Sequence, residues 1–171
     1  MNVRFFSLLS FCFLVCFQAH AAHVDTTSFY SEAMRKSVPC VVIVPNVSQD
    51  VEARFPVIYL LHGYSGNHLS WISISPDLVR IAEDEHVIFV CPDGGYRSWY
   101  LDSPVDSTMR YETAIGSELI HWVDAHYPTR ADRRFRAITG LSMGGHGGLY
   151  LGVRHPDVFA AAGSKIGRAH V

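Results

Sequence analysis

Four short apolar runs recur along the chain, and each is followed within two residues by proline or glycine. The runs lie at residues 38–44, 57–61, 87–91 and 135–139. The first is a β-branched run, which favours a strand, and the second is apolar at nearly every position, which is typical of a strand that is covered on both faces. The pattern therefore predicts four strands.

Between and after these runs the spacing of apolar residues is helical. Residues 75–82 open with Ser-Pro-Asp, which supplies a serine N-cap, a proline at the first helical position and an acid in the first turn. Residues 115–123 place apolar side chains on one helical face, and residues 145–154 are rich in small residues. Strands that alternate with helices predict a mainly parallel sheet with helices on both faces, which binds ligands at the carboxyl ends of its strands.

The segment Gly140-Leu141-Ser142-Met143-Gly144 joins the last predicted strand to the last predicted helix. It has the pattern G-x-S-x-G, in which a serine on a tight, strained turn lifts its hydroxyl clear of the sheet. A Cβ two residues before or after the serine would collide with the turn, so both glycines are expected. The flanking strand and helix are the context that a chance match lacks, and we interpret the serine as a nucleophile.

Two further segments lie at strand ends. Residues 57–61 run into His-Gly and then Tyr64, and residues 87–91 run into a long loop that contains Trp99 and Tyr100. Because the carboxyl ends of parallel strands share one edge of a sheet, these segments should converge on Ser142. Tyr96, Trp99 and Tyr100 are candidates to stack on a sugar or an aromatic acid, although packing within a surface loop would use the same side chains.

Six motifs, in this order, resemble the putative-esterase family of α/β-hydrolases. The motifs are Leu60-Leu61-His62-Gly63, Pro92-Asp93-Gly94-Gly95, Ser98-Trp99-Tyr100, Tyr111-Glu112-Thr113, Glu118-Leu119-Ile120 and Gly140-Leu141-Ser142-Met143-Gly144-Gly145. The family includes esterase D and other S-formylglutathione hydrolases, feruloyl and acetyl-xylan esterases, and mycolyltransferases. The resemblance covers about residues 29–164 and implies an α/β-hydrolase fold.

The resemblance also implies a serine mechanism without a cofactor or a metal. Ser142 would be acylated by the substrate, and the backbone N–H groups of Met143 and Tyr64 would hold the oxyanion. In this fold the serine is followed by an acid and then a histidine. Asp157 and three histidines follow Ser142, and none is placed to reach its hydroxyl easily. We therefore expect the acid and the base to be missing and this chain to be inactive.

The end of the chain departs from the family pattern. Residues 165–171 resemble a translated sequencing adapter, where the family would continue into another strand. We expect a longer source gene, so that residues 22–164 are the N-terminal part of the hydrolase domain and residues 165–171 are a non-native tail. A genuine short C-terminus is the alternative.

The first residues resemble a secretory signal peptide. Arg4 precedes an apolar stretch at residues 5–17, which is too short to span a bilayer comfortably, and Ala19-His20-Ala21 fits the small-x-small cleavage rule. We interpret residues 1–21 as a cleaved signal, with an N-terminal anchor as the alternative. The mature protein would then be secreted or periplasmic, with no stable membrane span.

Composition excludes several other classes of function. The chain has 171 residues, of which 49% are hydrophobic and 18% charged, enough for one globular domain. A formal net charge of −2 gives no reason to expect nucleic acid or an anionic membrane as a partner. The ten histidines show no metal-ligand spacing.

Removal of the signal would leave Cys40 and Cys91 in an oxidising compartment. In the α/β-hydrolase order the strands that carry them are antiparallel neighbours, so a disulfide is one possibility. Buried thiols packed as small hydrophobic groups are the other, and they are the commoner fate of lone strand cysteines.

These observations predict a serine carboxylic-ester hydrolase that acts outside the cytoplasm on small-molecule or polysaccharide esters, such as acyl or feruloyl groups on plant polysaccharides. Export argues against the glutathione-dependent cytosolic branch of the family. One alternative is an acyltransferase of the mycolyltransferase type, in which a sugar hydroxyl replaces water. Another is a non-catalytic, hydrolase-like binding domain.

Overall fold

An antiparallel hairpin forms one edge of the sheet. In the computed structural model, which describes residues 22–46 and 52–165, β1 (His23–Ser31) pairs with β2 (Lys36–Val44) across a turn at residues 32–35. β2 is the first of the predicted strands. β1 is an addition to the prediction, because it is mostly polar and one of its faces is exposed, so it lacks the apolar run of a covered strand.

The other strands complete a mixed, mainly parallel sheet. They are β3 (Val57–Leu61), β4 (Ile88–Pro92), β5 (Arg136–Gly140) and β6 (Ala161–Ala162). The order across the sheet is β1-β2-β4-β3-β5-β6, with β2 antiparallel to β4 and the pairs from β4 to β6 parallel. The predicted strands and the parallel centre of the sheet are confirmed, with bounds that differ by two residues at most.

Helices and helical turns cover both faces of the sheet. They are α1 (Ser70–Ile74), α2 (Leu78–Glu85), α3 (Tyr111–Thr113) continued by a π-helical turn (Ala114–Glu118) into α4 (Leu119–His126), a 3-10 turn (Arg133–Phe135) and α5 (Met143–Arg154). α1 was not predicted. The predicted N-cap at Ser75 is wrong, because α2 begins at Leu78 and the contribution of Ser75 is its carbonyl, which accepts the Leu78 N–H at 3.1 Å.

The sheet separates two apolar cores. α4 and α5 pack on the face that carries Tyr59, Leu61 and Ile138. α2 packs on the opposite face, which carries Leu60 and Phe89. Burial on both faces explains the continuous apolar runs of β3 and β4, since each such side chain gains about 1.5–3 kcal/mol by leaving water.

The two strand cysteines are free thiols on opposite faces of the sheet. The expected antiparallel pairing of β2 with β4 is present, but its register sets Cys91 opposite Val41 and Cys40 opposite Pro92. Since successive strand residues point to opposite faces, Cys40 lies in one core and Cys91 in the other. The disulfide alternative is therefore wrong. Burial raises the pKa of each thiol to about 12.

Two predicted segments extend beyond the described residues. The predicted signal peptide at 1–21 and residues 166–171 of the predicted tail lie outside them. Lys165, the first residue of that tail, pairs with Leu141 in a parallel bridge. Across residues 22–46 and 52–165, no helix is long and apolar enough to cross a membrane, and no cluster of side chains could hold a metal ion.

Candidate active site

Ser142 lies on the sharp turn between β5 and α5. Its φ of 56° and ψ of −115° are strained for a residue with a side chain, and the residue is exposed. Backbone hydrogen bonds from Ser142 and from the residue before it hold the turn in place. The Ser142 N–H donates to the Lys165 carbonyl at 3.0 Å, and the Leu141 N–H donates to the Leu61 carbonyl at 3.1 Å. The predicted strand, strained serine and helix are thus all observed.

The two glycines of the motif are required by close backbone contacts. A Cβ on Gly144 would overlap the Leu61 carbonyl and lie 2.6 Å from the His62 carbonyl oxygen. A Cβ on Gly140 would overlap the Gly144 carbonyl and lie 2.7 Å from the Leu61 oxygen. Because backbone cannot move aside as a flexible side chain can, a larger residue would separate α5 from the end of β3. The glycines therefore bring the first turn of α5 against the loop after β3.

The backbone N–H groups of the two predicted oxyanion donors make no hydrogen bond within the described ranges. One belongs to Met143, whose amide is unpaired because it opens a helix. The other belongs to Tyr64, in the loop after β3. That loop lies against the serine, since a Cβ on Gly63 would be 3.5 Å from the Ser142 Cβ. The structure therefore brings together the serine and the residues of both predicted oxyanion donors.

His62 fixes the loop that carries Tyr64. Its side chain is 1% exposed, and its Nε2 accepts the Gly94 N–H at 2.7 Å. Its Nδ1 lies 2.7 Å from the Gly63 carbonyl oxygen, to which it donates. These two partners assign the neutral Nδ1–H tautomer. The sequence predicted that the His-Gly loop supplies an oxyanion donor. It did not predict the role of the buried His62 ring, because that role depends on a contact with the loop after β4.

The structure contradicts the prediction that Tyr100 stacks on a substrate. Tyr100 is 0% exposed, and its hydroxyl donates to the His62 carbonyl at 3.0 Å, so no face of its ring is open to a ligand. Trp99 is 46% exposed and does lie on the surface. It packs edge-on against His146, one turn along α5 from Ser142, with ring centroids 5.5 Å apart.

A second pair of exposed aromatic rings borders the loop after β3. Tyr64 and Tyr96 are 53% and 61% exposed and pack edge to face with centroids 5.0 Å apart. The Ser65 N–H donates to the Tyr96 carbonyl at 2.9 Å, which joins the two loops. The role predicted for Tyr64 concerned only its backbone amide, although an aromatic side chain at a strand-end loop itself indicates a binding surface.

Asp93 is the acidic group beside His62. It accepts the Gly95 N–H at 2.7 Å and lies 3.8 Å from both His62 Nε2 and His68 Nδ1. Burial alone would raise the pKa of Asp93, but the hydrogen bond from the Gly95 N–H and the nearby His68 imidazole hold that pKa below its ordinary value. Asp93 is therefore a carboxylate at neutral pH, and its contacts are with the His62 loop.

Within the described ranges, no histidine or carboxylate hydrogen-bonds to the Ser142 hydroxyl. The His146 ring faces Trp99 and Tyr150. His155 lies just past the far end of α5, 3.4 Å from Glu112. The described residues therefore bring together an exposed serine and two backbone N–H groups, with no histidine or carboxylate bonded to the serine hydroxyl.

Comparisons with known proteins identify the family to which the chain belongs. The family model described as Putative esterase matches residues 31–167. An esterase of Mycobacterium tuberculosis is 33% identical over 132 residues, which cover 75% of this chain and 28% of the relative. An acetyl esterase of Caldicellulosiruptor saccharolyticus is 30% identical over 139 residues, which cover 77% of this chain and 51% of the relative.

A solved ferulic acid esterase has the same fold. It superposes with a TM-score of 0.71 at 29% identity, over 83% of this chain and 59% of that one. The chain thus spans 28% to 59% of the length of these three proteins. The resemblance inferred from the six motifs is confirmed, and the chain belongs to the Putative esterase family of α/β-hydrolases.

Proposed function

We propose that the protein is a serine carboxylic-ester hydrolase and that Ser142 is its nucleophile. The Ser142 oxygen forms a bond to the ester carbonyl carbon and gives its proton to a base. As the ester C–O bond breaks, the base returns that proton to the departing oxygen and the alcohol leaves. Water then releases the acyl group from the serine. The observation that supports this most strongly is the strained, exposed serine beside two unpaired backbone N–H groups.

The N–H groups of Met143 and Tyr64 are the proposed oxyanion donors. The Met143 amide also carries the partial positive charge of the N-terminus of α5. Donors that are fixed before the reaction stabilise the developing charge without having to reorganise, and loss of one typically costs about 10²–10³ in kcat. The glycine contacts that fix this junction fit such a role.

The general base and its acid partner come, in this proposal, from residues outside those described. The described residues place neither beside Ser142, and the acetyl esterase and ferulic acid esterase relatives contain chain beyond the matched part. A general base contributes about 10²–10⁴-fold to such reactions. We therefore expect the 171-residue chain to hydrolyse esters at close to the background rate.

The proposed substrates are acyl or feruloyl esters, including those of polysaccharides. An acetyl esterase and a ferulic acid esterase are among the relatives. The exposed rings of Trp99, Tyr64 and Tyr96 offer flat apolar faces beside the serine turn, which suit a sugar ring or an aromatic acid. The signal-like residues 1–21 place these esters outside the cytoplasm in this proposal.

The test compares the 171-residue chain with the product of the full source gene, each with and without Ser142→Ala. p-Nitrophenyl acetate and methyl ferulate serve as substrates, and Ser107→Ala, at an exposed loop serine, is the matched control. We expect the longer protein to be active and Ser142→Ala to lower its kcat by about 10⁴-fold or more. Ser107→Ala should have no effect.

Each alternative has its own signature in this experiment. Full activity of the Ser142→Ala variant would show that the nucleophile is wrong. Turnover by the 171-residue chain at an ordinary esterase rate would show that its base lies within it. Transfer of the acyl group to an added sugar in preference to water would assign the protein to acyl transfer.

A further inference from the structure

Tyr100 is buried beneath the serine turn in a backbone conformation that side chains rarely adopt. Its φ is 61°, and that of Trp99 before it is 53°. Two consecutive bulky residues in the left-handed region persist only where the surrounding structure holds them there. The contacts of Tyr100 therefore show which groups hold it in this conformation.

Glycines on two elements make room for the Tyr100 ring. A Cβ on Gly94, after β4, or on Gly147, in α5, would overlap the ring. The Tyr100 N–H donates to the Ser98 hydroxyl oxygen at 2.9 Å, and that hydroxyl in turn donates to the Gly94 carbonyl. The ring is thus fixed between the loop after β4 and the nucleophile helix.

The Tyr100 hydroxyl makes its hydrogen bond at the junction of the two proposed oxyanion donors. It donates to the His62 carbonyl at 3.0 Å. The same carbonyl oxygen lies against Gly144, where a Cβ would approach it to 2.6 Å. His62 is two residues before Tyr64, and Gly144 is one residue after Met143. One hydroxyl thus fixes a carbonyl group that both donor segments contact.

We propose that Tyr100 is a positioning residue, whose hydroxyl holds the His62 carbonyl and thereby aims the Tyr64 N–H at the oxyanion. The inference rests on the proposed function, because the direction of that N–H affects the rate only if an oxyanion forms. The ring and the hydroxyl have separate roles. The ring fills the gap left by the two glycines, and the hydroxyl orients the peptide.

The effect on catalysis should fall on kcat. A donor aimed at the oxyanion stabilises the transition state more than the bound ester, so misdirecting it slows the chemical step and leaves substrate binding nearly unchanged. Because Tyr100→Phe would loosen one donor without deleting it, we expect a fall in kcat of about 10-fold, less than the roughly 10²–10³ that follows loss of a donor.

The experiment compares Tyr100→Phe with Tyr59→Phe in the product of the full source gene. Tyr59 is a matched control, because it is equally buried but its hydroxyl has no partner within the described ranges. Tyr100→Phe should lower kcat about 10-fold with KM within twofold, and weaken inhibition by a trifluoromethyl ketone that forms a tetrahedral adduct with the serine to a similar extent. Tyr59→Phe should change neither quantity.

The outcomes separate this inference from the proposed function. An active wild type whose Tyr100→Phe variant keeps its kcat, or loses activity only through KM, overturns the inference alone. A wild type without esterase activity overturns the proposed function. In that case hydrogen exchange in the 171-residue chain decides: the Ser65 and Gly66 amides, bonded at 2.9 and 3.0 Å, should exchange faster in Tyr100→Phe than in Tyr59→Phe. Equal exchange in the two variants overturns the positioning role.

Discussion

Backbone strain in this protein is concentrated beside the serine. In residues 22–46 and 52–165, six residues other than glycine have a left-handed φ, and four of them lie at the carboxyl edge of the sheet. These four are Ser65, Trp99, Tyr100 and Ser142. Strain of this kind survives only where other contacts compensate for it, and here the contacts are hydrogen bonds between the loops. The edge that bears the candidate site is thus held by its own network.

At the scale of single residues, the two strand cysteines are expected to be inert in the folded protein. With a pKa of about 12, only about one thiol in ten thousand is a thiolate at pH 8, and both side chains are inaccessible. In a chain that begins at Ala22, Ellman's reagent should find no reactive thiol in the native protein and two after unfolding in guanidinium without reductant. Rapid labelling of the native protein, or no thiols in the unfolded one, would contradict the structure.

The sequence predicts residue roles well where they depend on local geometry. The Ser142 turn follows from five consecutive residues, because the tight turn and its glycines are local requirements. Tyr100 was misassigned because its burial depends on Gly147, which is far from it along the chain, and on the way its own loop folds back onto Gly94. The buried ring of His62 likewise depends on a bond to Gly94. Such contacts between loops leave no periodic signal in the sequence.

At the scale of elements, Glu112 joins α3 to α5. Its carboxylate accepts the Tyr150 hydroxyl at 2.6 Å and the Arg154 Nε at 3.0 Å, both from the last turns of α5. Burial alone would raise the pKa of Glu112, but the hydrogen bonds and the charge of Arg154 outweigh it and hold the pKa below its ordinary value. The protonation of Glu112 is therefore linked to the packing of α3 against α5.

The contribution of Glu112 to stability should disappear in acid. Since its pKa is lower in the folded than in the unfolded chain, where it is about 4.3, the unfolded state takes up the proton first. The stabilisation is therefore complete above that pH and is lost as the pH falls through the lower, folded value. Urea unfolding from pH 6 to pH 3 should show Glu112→Gln less stable than wild type at pH 6, with a difference that shrinks below pH 4.

The exposed Glu85 at the end of α2 provides a matched control for this titration. Glu85→Gln should follow the wild-type stability at every pH. A difference between Glu112→Gln and wild type that stays constant down to pH 3 would show that the lost contacts do not depend on the charge of Glu112.

A strand that is buried on both faces could be predicted from the sequence, whereas the edge strand β1 and the short helix α1 could not. β3 was predicted with its observed bounds because both of its faces are buried. β1 was not predicted because polar residues alternate with apolar ones along this edge strand. α1 was not predicted because it is one short turn with no buried residue. Ser75 was misread because Asp77, two residues on, is the N-cap position.

At the scale of the whole molecule, the proposed export predicts where the mature chain begins. β1 begins at His23, so cleavage after Ala21 would leave only Ala22 ahead of the first strand. We expect the protein recovered from the cell envelope or medium to begin at Ala22 or His23, as N-terminal sequencing would show. Soluble cytoplasmic protein that retains Met1 would contradict this prediction.

The topology of the sheet also predicts the order in which its strands form during folding. β1 and β2 are close in the sequence, because a four-residue turn joins them. β3 and β5 are far apart in the sequence, since their pairing sets Val57 opposite Arg136. Closing so long a loop is slow, so the hairpin should form first and the parallel centre later. Pulse-labelled hydrogen exchange during refolding should protect the hairpin amides before those of β5, and simultaneous protection would refute this order. Since the serine turn needs β3, β5 and α5 together, a chain that is still folding has not yet placed Ser142 beside the Met143 and Tyr64 N–H groups, and the proposed chemistry requires the finished fold.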